Sequence, residues 1–370
     1  MESIKLGVIG FGSFAMFAVQ EYMQIPSIKL SGLSGTHREE AIRAAERFGL
    51  KGVEDISKML SRKDIDIVYI ATPPFLHYEN AAEALKAGKH VIVEKPFALN
   101  LEQADEMINL SKEKGLVVTA NLIQRYNPLY DKIKKLINLR VLGELLHCFF
   151  ENYASDENLH PEHWFWDKKK SGGIFVEHGV HFFDLFEGLL GKGKMESAQA
   201  TLRPGTQIED QVQCSVRYGD VIANFYHGFT QATRMDRQEI RLIFEKGDVS
   251  IYDWIPSWLR IHAISSEKEM KTLCELFPHS QIEVVRLYSG REREVISRHK
   301  QYQVYQKYNL TYREGLKMNL YGQVVRGLME DQLKWISNKT HKRKVTELNG
   351  RASLETALEA GKLAHQKLLI

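Results

Sequence analysis

The sequence has few cysteines and no long hydrophobic run. Its three cysteines, Cys148, Cys214 and Cys274, have the spacing of neither disulfide pairs nor metal ligands. We therefore expect reduced thiols, a reducing compartment and no metal site. No apolar run approaches the roughly 20 residues that span a bilayer, and the residues before the first predicted strand are too few for a signal peptide. The formal net charge is only +3. These absences predict a cytoplasmic protein that binds neither nucleic acid nor membrane.

Apolar runs alternate with helical patterns in the first 120 residues, which predicts parallel βαβ units. Strands are predicted at 5–9, 28–33, 65–71, 90–93 and 117–120, and helices at 14–23, 39–48, 80–86 and 101–114. The strands are apolar almost throughout, which is typical of a sheet covered on both faces. The predicted fold is therefore α/β, with an N-terminal doubly wound parallel sheet.

The pattern changes after Arg125, where apolar and polar residues alternate in four runs, 145–153, 212–218, 221–227 and 240–244. Tight turns between such runs indicate antiparallel strands with one covered and one free face. Helical periodicity returns at 316–328 and after Ser353, a predicted N-cap. We predict two domains, 1–123 and 124–370, the second an α+β domain built on a large, mostly antiparallel, open-faced sheet. Residues 265–311 give no clear pattern.

The first predicted strand ends in a glycine turn, Gly10-Phe11-Gly12-Ser13-Phe14-Ala15, which has the G-x-G-x-x-A form of a dinucleotide-binding turn. The first glycine allows the tight turn, and the second lets the backbone approach a pyrophosphate. The helix N-terminus then offers N–H groups to the phosphates. We therefore predict an NAD(P)-binding Rossmann domain with Gly10, Gly12, Ser13 and Phe14 at the cofactor.

The end of the second strand bears on the choice between NAD and NADP. Enzymes that select NAD usually carry Asp or Glu there to bind the ribose 2′-hydroxyl, whereas this chain has Gly35. Ser34, Thr36, His37 and Arg38 could donate to a 2′-phosphate, although Arg38 could equally begin a solvated helix. These residues favour NADP over NAD.

Two later elements carry groups that can move a proton. Glu94-Lys95-Pro96 ends a buried strand at the sheet edge where ligands bind, and Pro96 restricts Lys95 to extended geometry. In the segment 172–184, Glu177 and His181 are four residues apart and share one helix face. His178 lies three residues before His181, is offset from it around the helix and is predicted to lie behind it. Hydride transfer from a carbinol carbon leaves a proton that a histidine can accept. The alternative is that His181 is a hydrogen-bonded core residue.

Together these elements resemble one family, the Gfo/Idh/MocA oxidoreductases. The resemblance spans nearly the whole chain and rests on the glycine turn, Ala71-Thr72-Pro73, Glu94-Lys95-Pro96, Arg125 with Pro128, Trp164 with Asp167, the segment 172–184 and Lys246-Gly247-Asp248. It implies that Lys95 polarises the reacting hydroxyl, that His181 is the general acid/base and that Glu177 positions the substrate. It also implies a sugar, cyclitol or polyol substrate and a homodimer or homotetramer formed through the C-terminal sheet.

Two positions depart from the family pattern. Glu177 stands where Asp is usual, and Pro74 stands where many members have Asn. The first departure puts the placement of substrate in doubt, and the second puts contacts near the nicotinamide in doubt. Neither removes the pair of Lys95 and His181.

The remaining candidates are polar or aromatic residues in or near these motifs. Further cofactor contacts are predicted from Ala71, Thr72, Pro73, His77, Glu94 and Lys95, and substrate contacts from Arg125, Asn127, Tyr153, His163, Trp164 and Asp184. The predicted function is NAD(P)-dependent hydride transfer at a hydroxyl or carbonyl carbon. A catalytically silent nucleotide-binding regulator and an NAD-dependent glycosidase stay open as alternatives. The presence of both Lys95 and His181 argues against the regulator.

Overall fold

A computed structural model describes residues 3–35, 38–50 and 52–368. The chain divides into two compact units, and each is built from several segments. The first unit comprises Met1–Tyr126, Pro161–Leu185 and Gly322–Lys362, and the second comprises Asn127–His160, Phe186–Tyr321 and Leu363–Ile370. The units therefore interleave along the chain, whereas the sequence predicted consecutive domains. The assignment of cofactor binding to 1–123 and of substrate binding to 124–370 stays a prediction.

A five-stranded parallel sheet in the order β2-β1-β3-β4-β5 forms the centre of the first unit. Its strands are β1 (Ile4–Ile9), β2 (Ile28–Ser34), β3 (Ile67–Ile70), β4 (His90–Val93) and β5 (Val118–Ala120). Every residue of β3 is buried, as the continuous apolar pattern indicates for a sheet covered on both faces. The strand order reverses beside β1, and ligands bind outside the carboxyl ends of strands at such a point. The predicted doubly wound sheet is confirmed.

Five helices connect these strands, α1 (Ser13–Tyr22), α2 (Arg38–Arg47), α3 (Ile56–Ser61), α4 (His77–Lys86) and α5 (Leu101–Glu113). Asn100 caps α5 by accepting a hydrogen bond from the backbone of Gln103, which satisfies one of the free donors of a helix start. Four of the helices follow the predicted periodic patterns. The fifth, α3, was not predicted, because six residues are too few to show helical periodicity.

Six further helices follow in the chain: α6 (Pro128–Asn138), α7 (Lys168–Ser171), α8 (Val180–Leu190), α9 (Glu267–Leu276), α10 (Lys317–Ser337) and α11 (Glu347–Leu368). The prediction of Ser353 as an N-cap is wrong, since α11 begins six residues earlier. The hydroxyl of Ser353 donates instead to the carbonyl of Gly350 within the helix. Thus a serine in a helical pattern was mistaken for its start. Within the described residues, no helix is both long enough and apolar enough to span a bilayer.

A nine-stranded sheet dominates the second unit, in the order β13-β16-β12-β11-β10-β6-β9-β8-β7. Its strands are β6 (Leu145–Ser155), β7 (Lys194–Leu202), β8 (Glu209–Tyr218), β9 (Val221–Gln231), β10 (Arg237–Phe244), β11 (Gly247–Tyr252), β12 (Trp258–Ser265), β13 (Gln281–Leu287) and β16 (Gln306–Arg313). All neighbours are antiparallel except β6 and β9. Buried and accessible residues alternate along β10, so one face is covered and the other is open. The predicted α+β sheet is confirmed.

The segment without a clear sequence pattern, 265–311, contains α9, β13 and most of β16, with a separate hairpin of β14 (Glu294–Ser297) and β15 (Lys300–Gln303). Ser266 and Glu269 form a reciprocal capping box at the start of α9. All residues of β13 are exposed. An exposed strand lacks the alternation of apolar and polar residues that identifies a half-buried one.

Candidate functional site

The glycine turn follows β1, and its first glycine is required by the backbone. Gly10 has φ +90°, and a Cβ at this position would lie 2.5 Å from the carbonyl oxygen of Ala71. The Gly10 N–H donates to the carbonyl of Ser34 at 2.9 Å. Gly10 therefore joins the ends of β2 and β3 to that of β1, which no residue with a side chain could do here without strain.

Gly12 has a different reason to be glycine. It is exposed, and a Cβ built on it would meet no protein atom within 4 Å. Helix α1 begins at the next residue, and Ala15 in its first turn is buried. The space in front of Gly12 and the N–H groups of the first helical turn suit the pyrophosphate of a dinucleotide. Ser13 is exposed and Phe14 half-buried beside this space, so the turn fits NAD or NADP.

This difference between the two glycines gives a prediction. We expect Gly12→Ala to fold as stably as the parent, because its φ of −58° and ψ of 173° suit alanine, but to bind NADPH roughly tenfold or more weakly. Gly10→Ala should lower the melting temperature, since its Cβ collides with Ala71. Thermal unfolding and fluorescence titration with NADPH measure both effects. Unchanged cofactor affinity in Gly12→Ala would remove this turn from the binding site.

The end of β2 carries the residues predicted to select the cofactor. Ser34 is 2% exposed. A Cβ on Gly35 would lie 1.9 Å from the Phe11 ring, so the ring occupies the place where an acidic side chain would begin. Thr36 and His37 lie outside the described residues, and so does the side chain of Arg38. The preference for NADP therefore stays a prediction.

The loops after β3 and β4 are held together by His77. This residue is fully buried, with Nδ1 2.7 Å from the carbonyl oxygen of Pro96 and Nε2 2.8 Å from that of Thr72. A neutral ring donates a hydrogen bond to one of these two carbonyls. Thr72 also accepts a hydrogen bond from Asn80, and Ala71 and Pro73 remain half-accessible at the sheet edge. We predicted His77 as a cofactor contact, but both ring nitrogens face the protein backbone. We therefore withdraw it as a cofactor contact and assign it the role of a brace between the two loops.

Glu94 is turned toward neighbouring strands. Its Oε1 accepts hydrogen bonds from the hydroxyl of Tyr69 at 2.5 Å and the side-chain amide of Asn121 at 2.6 Å. Burial raises the pKa of Glu94. Neither Tyr69, a residue within β3, nor Asn121, the residue directly after β5, is among the residues predicted from the sequence. The position of Asn121 at the carboxyl edge of the sheet was the available signal.

Lys95 makes an ion pair with Glu177 across 82 residues of sequence. Its Nζ lies 2.5 Å from Oε1 of Glu177 and 2.9 Å from the main-chain carbonyl oxygen of the same residue. The peptide bond between Lys95 and Pro96 is cis. Both side chains are mostly buried, with 18% and 13% of their areas exposed. The carboxylate and the carbonyl therefore fix the ammonium at the sheet edge.

Glu177 lies in a π-helical turn, Phe175–Gly179, that leads directly into α8. Such turns are rare and often occur at functional sites. His181 follows at the start of α8 and is 4% exposed. Burial, together with the charge of Lys95, lowers the pKa of His181 well below its usual range and that of His178 to about 3. Both rings are therefore neutral at pH 7, and a neutral imidazole can accept a proton.

The buried histidines make the stability depend on pH. The pKa of His77 is lowered to about 4, mainly by burial, and that of His178 to about 3, whereas an unfolded histidine has a pKa of about 6.5. His90 and His181 have lowered pKa values as well, so unfolding below pH 6.5 takes up about one proton for each of these four rings. The free energy of unfolding should be lower at pH 5.5 than at pH 7 by roughly 1 kcal/mol for each histidine that is neutral in the folded protein.

Urea denaturation at the two pH values measures this fall. In the variant His178→Phe the fall should be smaller by roughly 1 kcal/mol, because one of the groups with a lowered pKa is gone. Burial raises the pKa of Glu94 and Asp184, and this opposes the fall at pH values above their unfolded pKa of about 4, so the test is the difference between His178→Phe and the parent. An equal change of stability between pH 7 and pH 5.5 in the two proteins would contradict the assignment of a neutral His178 ring.

Arg125 and Asp184 form a bidentate ion pair, with Nε and Nη2 of the arginine 2.8 and 2.9 Å from the two carboxylate oxygens. Asp184 is 2% exposed and also accepts from the side chain of Asn349 at 3.4 Å. It lies on α8, one turn after His181. Because its oxygens bind protein groups, we withdraw Asp184 as a substrate contact and regard the ion pair as support for α8. The role of Arg125 stays a prediction.

Asn127 is also structural. It is fully buried, its Oδ1 accepts from the N–H of Leu129 as the cap of α6, and its Nδ2 donates to the carbonyl of Pro256. Both polar atoms of its amide are bonded to the protein and the residue is fully buried, so we withdraw it from the predicted substrate contacts. From the sequence, a polar residue just before a helix that begins with proline could be a helix cap as well as a substrate contact.

The other three residues predicted to contact substrate take no part in the hydrogen bonds described for Arg125, Asp184 and Asn127. His163 and Trp164 are half-buried neighbours in the first unit, with ring centroids 5.1 Å apart. Tyr153 belongs to the second unit and lies on the open face of its sheet, where the guanidinium of Arg237 is 4.4 Å from its ring. Their roles stay predictions. Within the described residues, no group of three or more His, Cys, Asp or Glu side chains is arranged to hold a metal ion.

Two protein-family models match the chain. Residues 4–122 match a family described as an oxidoreductase family with an NAD-binding Rossmann fold, and residues 130–250 match the GFO/IDH/MocA C-terminal domain. The two matches lie in the order predicted from the motifs and together cover well over half of the chain.

Curated relatives include the scyllo-inositol 2-dehydrogenase (NAD(+)) of Bacillus subtilis, 27% identical over 190 residues. Another is a dTDP-3,4-didehydro-2,6-dideoxy-alpha-D-glucose 3-reductase of Streptomyces violaceoruber, 30% identical over 260 residues. The first alignment covers 51% of this chain and 54% of the relative, and the second 66% and 74%. The alignment with an uncharacterized oxidoreductase of Streptococcus pneumoniae covers 50% of that relative. The chain thus spans about half the length of several curated relatives that it matches.

Solved structures share the fold at low sequence identity. A 3-ketoreductase from Actinomadura kijaniata in complex with NADP superposes with a TM-score of 0.72 at 18% identity, covering 98% of each chain. A biliverdin reductase from Synechocystis in complex with biliverdin and NADP⁺ gives 0.70 at 17% identity, covering 98% of this chain and 99% of the other. At these identities the likeness concerns the fold alone.

Proposed function

We propose, starting from the fact that this chain belongs to the Gfo/Idh/MocA family of oxidoreductases, that it transfers a hydride between NAD(P) and a hydroxyl or carbonyl carbon of a sugar, cyclitol or related polyol. The observation that carries this proposal is the ion pair of Lys95 with Glu177. This ion pair joins the end of β4 to the π-helical turn that precedes His181. Both elements belong to the first unit, which also contains the glycine turn. The substrate class is supported by relatives that act on inositol and on a nucleotide-linked sugar.

Each polar group has a separate task in the proposed reaction. The bound nicotinamide supplies the acceptor or donor of the hydride. In the oxidation direction, the neutral ring of His181 takes the proton of the substrate hydroxyl. The ammonium of Lys95 stabilises negative charge on that oxygen. Glu177, bonded to Lys95 through its carboxylate and its carbonyl, orients the ammonium. This differs from the role in substrate placement that the sequence predicted.

We propose NADP as the preferred cofactor. Gly35 provides no side-chain acceptor for a ribose hydroxyl, and the Phe11 ring leaves no room for an acidic side chain there. Comparing kcat/KM for NADP and NAD measures this preference, and an NAD preference above about tenfold contradicts it.

Self-association through the second unit's sheet is also part of the proposal. The open face carries Phe149, Glu151 and Tyr153 on β6, and Phe149 is 37% exposed. Aromatic residues on an accessible sheet are typical of subunit interfaces. We propose a homodimer or homotetramer, whose mass is measurable by light scattering.

One assay separates the proposed activity from its alternatives. A panel of sugars, cyclitols and their glycosides is incubated with each cofactor while the absorbance of reduced nicotinamide is recorded. Net cofactor reduction supports the dehydrogenase. Glycoside cleavage without net reduction identifies a glycosidase, and cofactor binding with neither reaction identifies a regulator.

A further inference from the structure

Strand β13 lies at one end of the nine-stranded sheet and pairs with β16. Within the part of the chain that the structure describes, no other strand pairs with it. Four of its apolar residues are accessible: Ile282 is 38% exposed, Val284 48%, Val285 51% and Leu287 58%. An open edge with this much accessible apolar surface favours pairing with another chain.

A bulge between Val284 and Arg286 decides which side chains of β13 share a face. Directly opposed residues of antiparallel strands lie on the same face. The pairing with β16 therefore puts Ile282 and Leu287 on one face, and Glu283 and Arg286 on the other. In a regular strand, Glu283 and Arg286, which are three residues apart, would lie on opposite faces.

We propose that β13 pairs antiparallel with β13 of a second copy of this chain. A two-fold axis between Val284 and Val285 sets Glu283 opposite the partner's Arg286. The same register sets Ile282 opposite the partner's Leu287. Because of the bulge, the members of each pair lie on the same face, so one register satisfies both the charged and the apolar pairs. By symmetry each pair forms twice.

The charged residues of β13 favour its pairing with a second copy of the strand; they are not arranged to keep other strands away from the edge. Charged residues commonly prevent strand edges from pairing, and they do so when like charges meet across the new interface. Here the positions related by the two-fold axis carry opposite charges. Arg286 binds Glu292 at 2.7 Å, and Glu283 accepts from Asn309 at 3.2 Å. Both bonds are exposed to water, so exchanging them for contacts with a partner costs little.

Charge reversal tests the pairing. Glu283→Arg and Arg286→Glu each place like charges opposite one another and should weaken self-association at least tenfold at low ionic strength. The double variant restores opposite charges and should associate within about threefold of the parent. Sedimentation velocity over a range of concentrations measures these changes. The control is Glu196→Arg, which makes the same charge change on β7 at the other end of the sheet.

Cross-linking tests the register. In a Cys274→Ser background, which removes the exposed native thiol, the double variant Glu283→Cys/Arg286→Cys should form a disulfide-linked dimer on mild oxidation. Each single cysteine variant should not, because neither position faces its own copy. Unchanged melting temperatures confirm that these exposed substitutions leave the fold intact. The proposal is overturned if the parent is monomeric, or if both charge reversals associate as the parent does. Association through the open sheet face alone would give the second of these results.

Discussion

Replacing Lys95 with methionine is expected to lower turnover about 100- to 1,000-fold while the cofactor still binds. A positioned charge at a developing oxyanion is worth about this much in a water-excluded site. The Lys95 side chain is mostly buried and is held by two oxygens of Glu177, so the ammonium is oriented before substrate arrives. Steady-state kcat and a separate NADPH titration measure the two quantities.

Two variants sharpen this test. Lys89→Met removes another buried lysine, which lies directly before β4 and whose Nζ donates to the carbonyls of Arg62 and Ile65. This variant should lower the stability and leave kcat near the parent value. Glu177→Gln removes the carboxylate charge but keeps the carbonyl contact. It should therefore reduce kcat less than Lys95→Met does. Undiminished turnover in Lys95→Met would remove Lys95 from the mechanism.

His181→Ala is expected to lower kcat at least about 100-fold, since general acid–base groups typically contribute this much. His181 is not part of the glycine turn, so the affinity for NADPH should stay close to that of the parent. His178→Ala is the matched control from the same segment, and its loss of kcat should be at least about tenfold smaller. Equal losses in the two variants would mean that burial, and not proton transfer, explains the effect of His181.

The pH profile gives a second readout for His181. Burial lowers its pKa well below the usual range, so the ring stays neutral, and able to accept a proton, at pH values where a free histidine is protonated. The kcat/KM for oxidation should therefore stay level from pH 8 to below pH 6.5 and fall only at lower pH. The variant His181→Ala should lose this fall.

The first unit was predictable because its strands are continuous apolar runs. The predicted bounds of β4 agree with the structure, and those of β1, β2 and β5 differ by one residue. The second unit was predictable wherever burial alternates, as in β10. Strand β13 was not, because both its faces are exposed and its charges show no period of two. Sequence order also hid the interleaving, in which 161–185 and 322–362 join the first unit.

For the candidate site, sequence spacing indicated that Glu177 and His181 share a helix face but could not show the π-helical turn between them. Nor could it show that Lys95 bonds to the carbonyl of Glu177. Residues near motifs were over-assigned. His77 and Asn127 are polar and well placed in sequence, yet one polar contact of each is with a backbone carbonyl far along the chain, that of Pro96 for His77 and that of Pro256 for Asn127. Such partners depend on tertiary contacts, which no local pattern records.

The most direct test of the proposed mechanism is a crystal structure with NADP⁺ and a polyol that supports turnover. We expect the hydroxyl on the reacting carbon to lie within about 3.2 Å of both Lys95 Nζ and a ring nitrogen of His181. A polyol bound with its reacting hydroxyl away from both groups would contradict the proposed roles of Lys95 and His181.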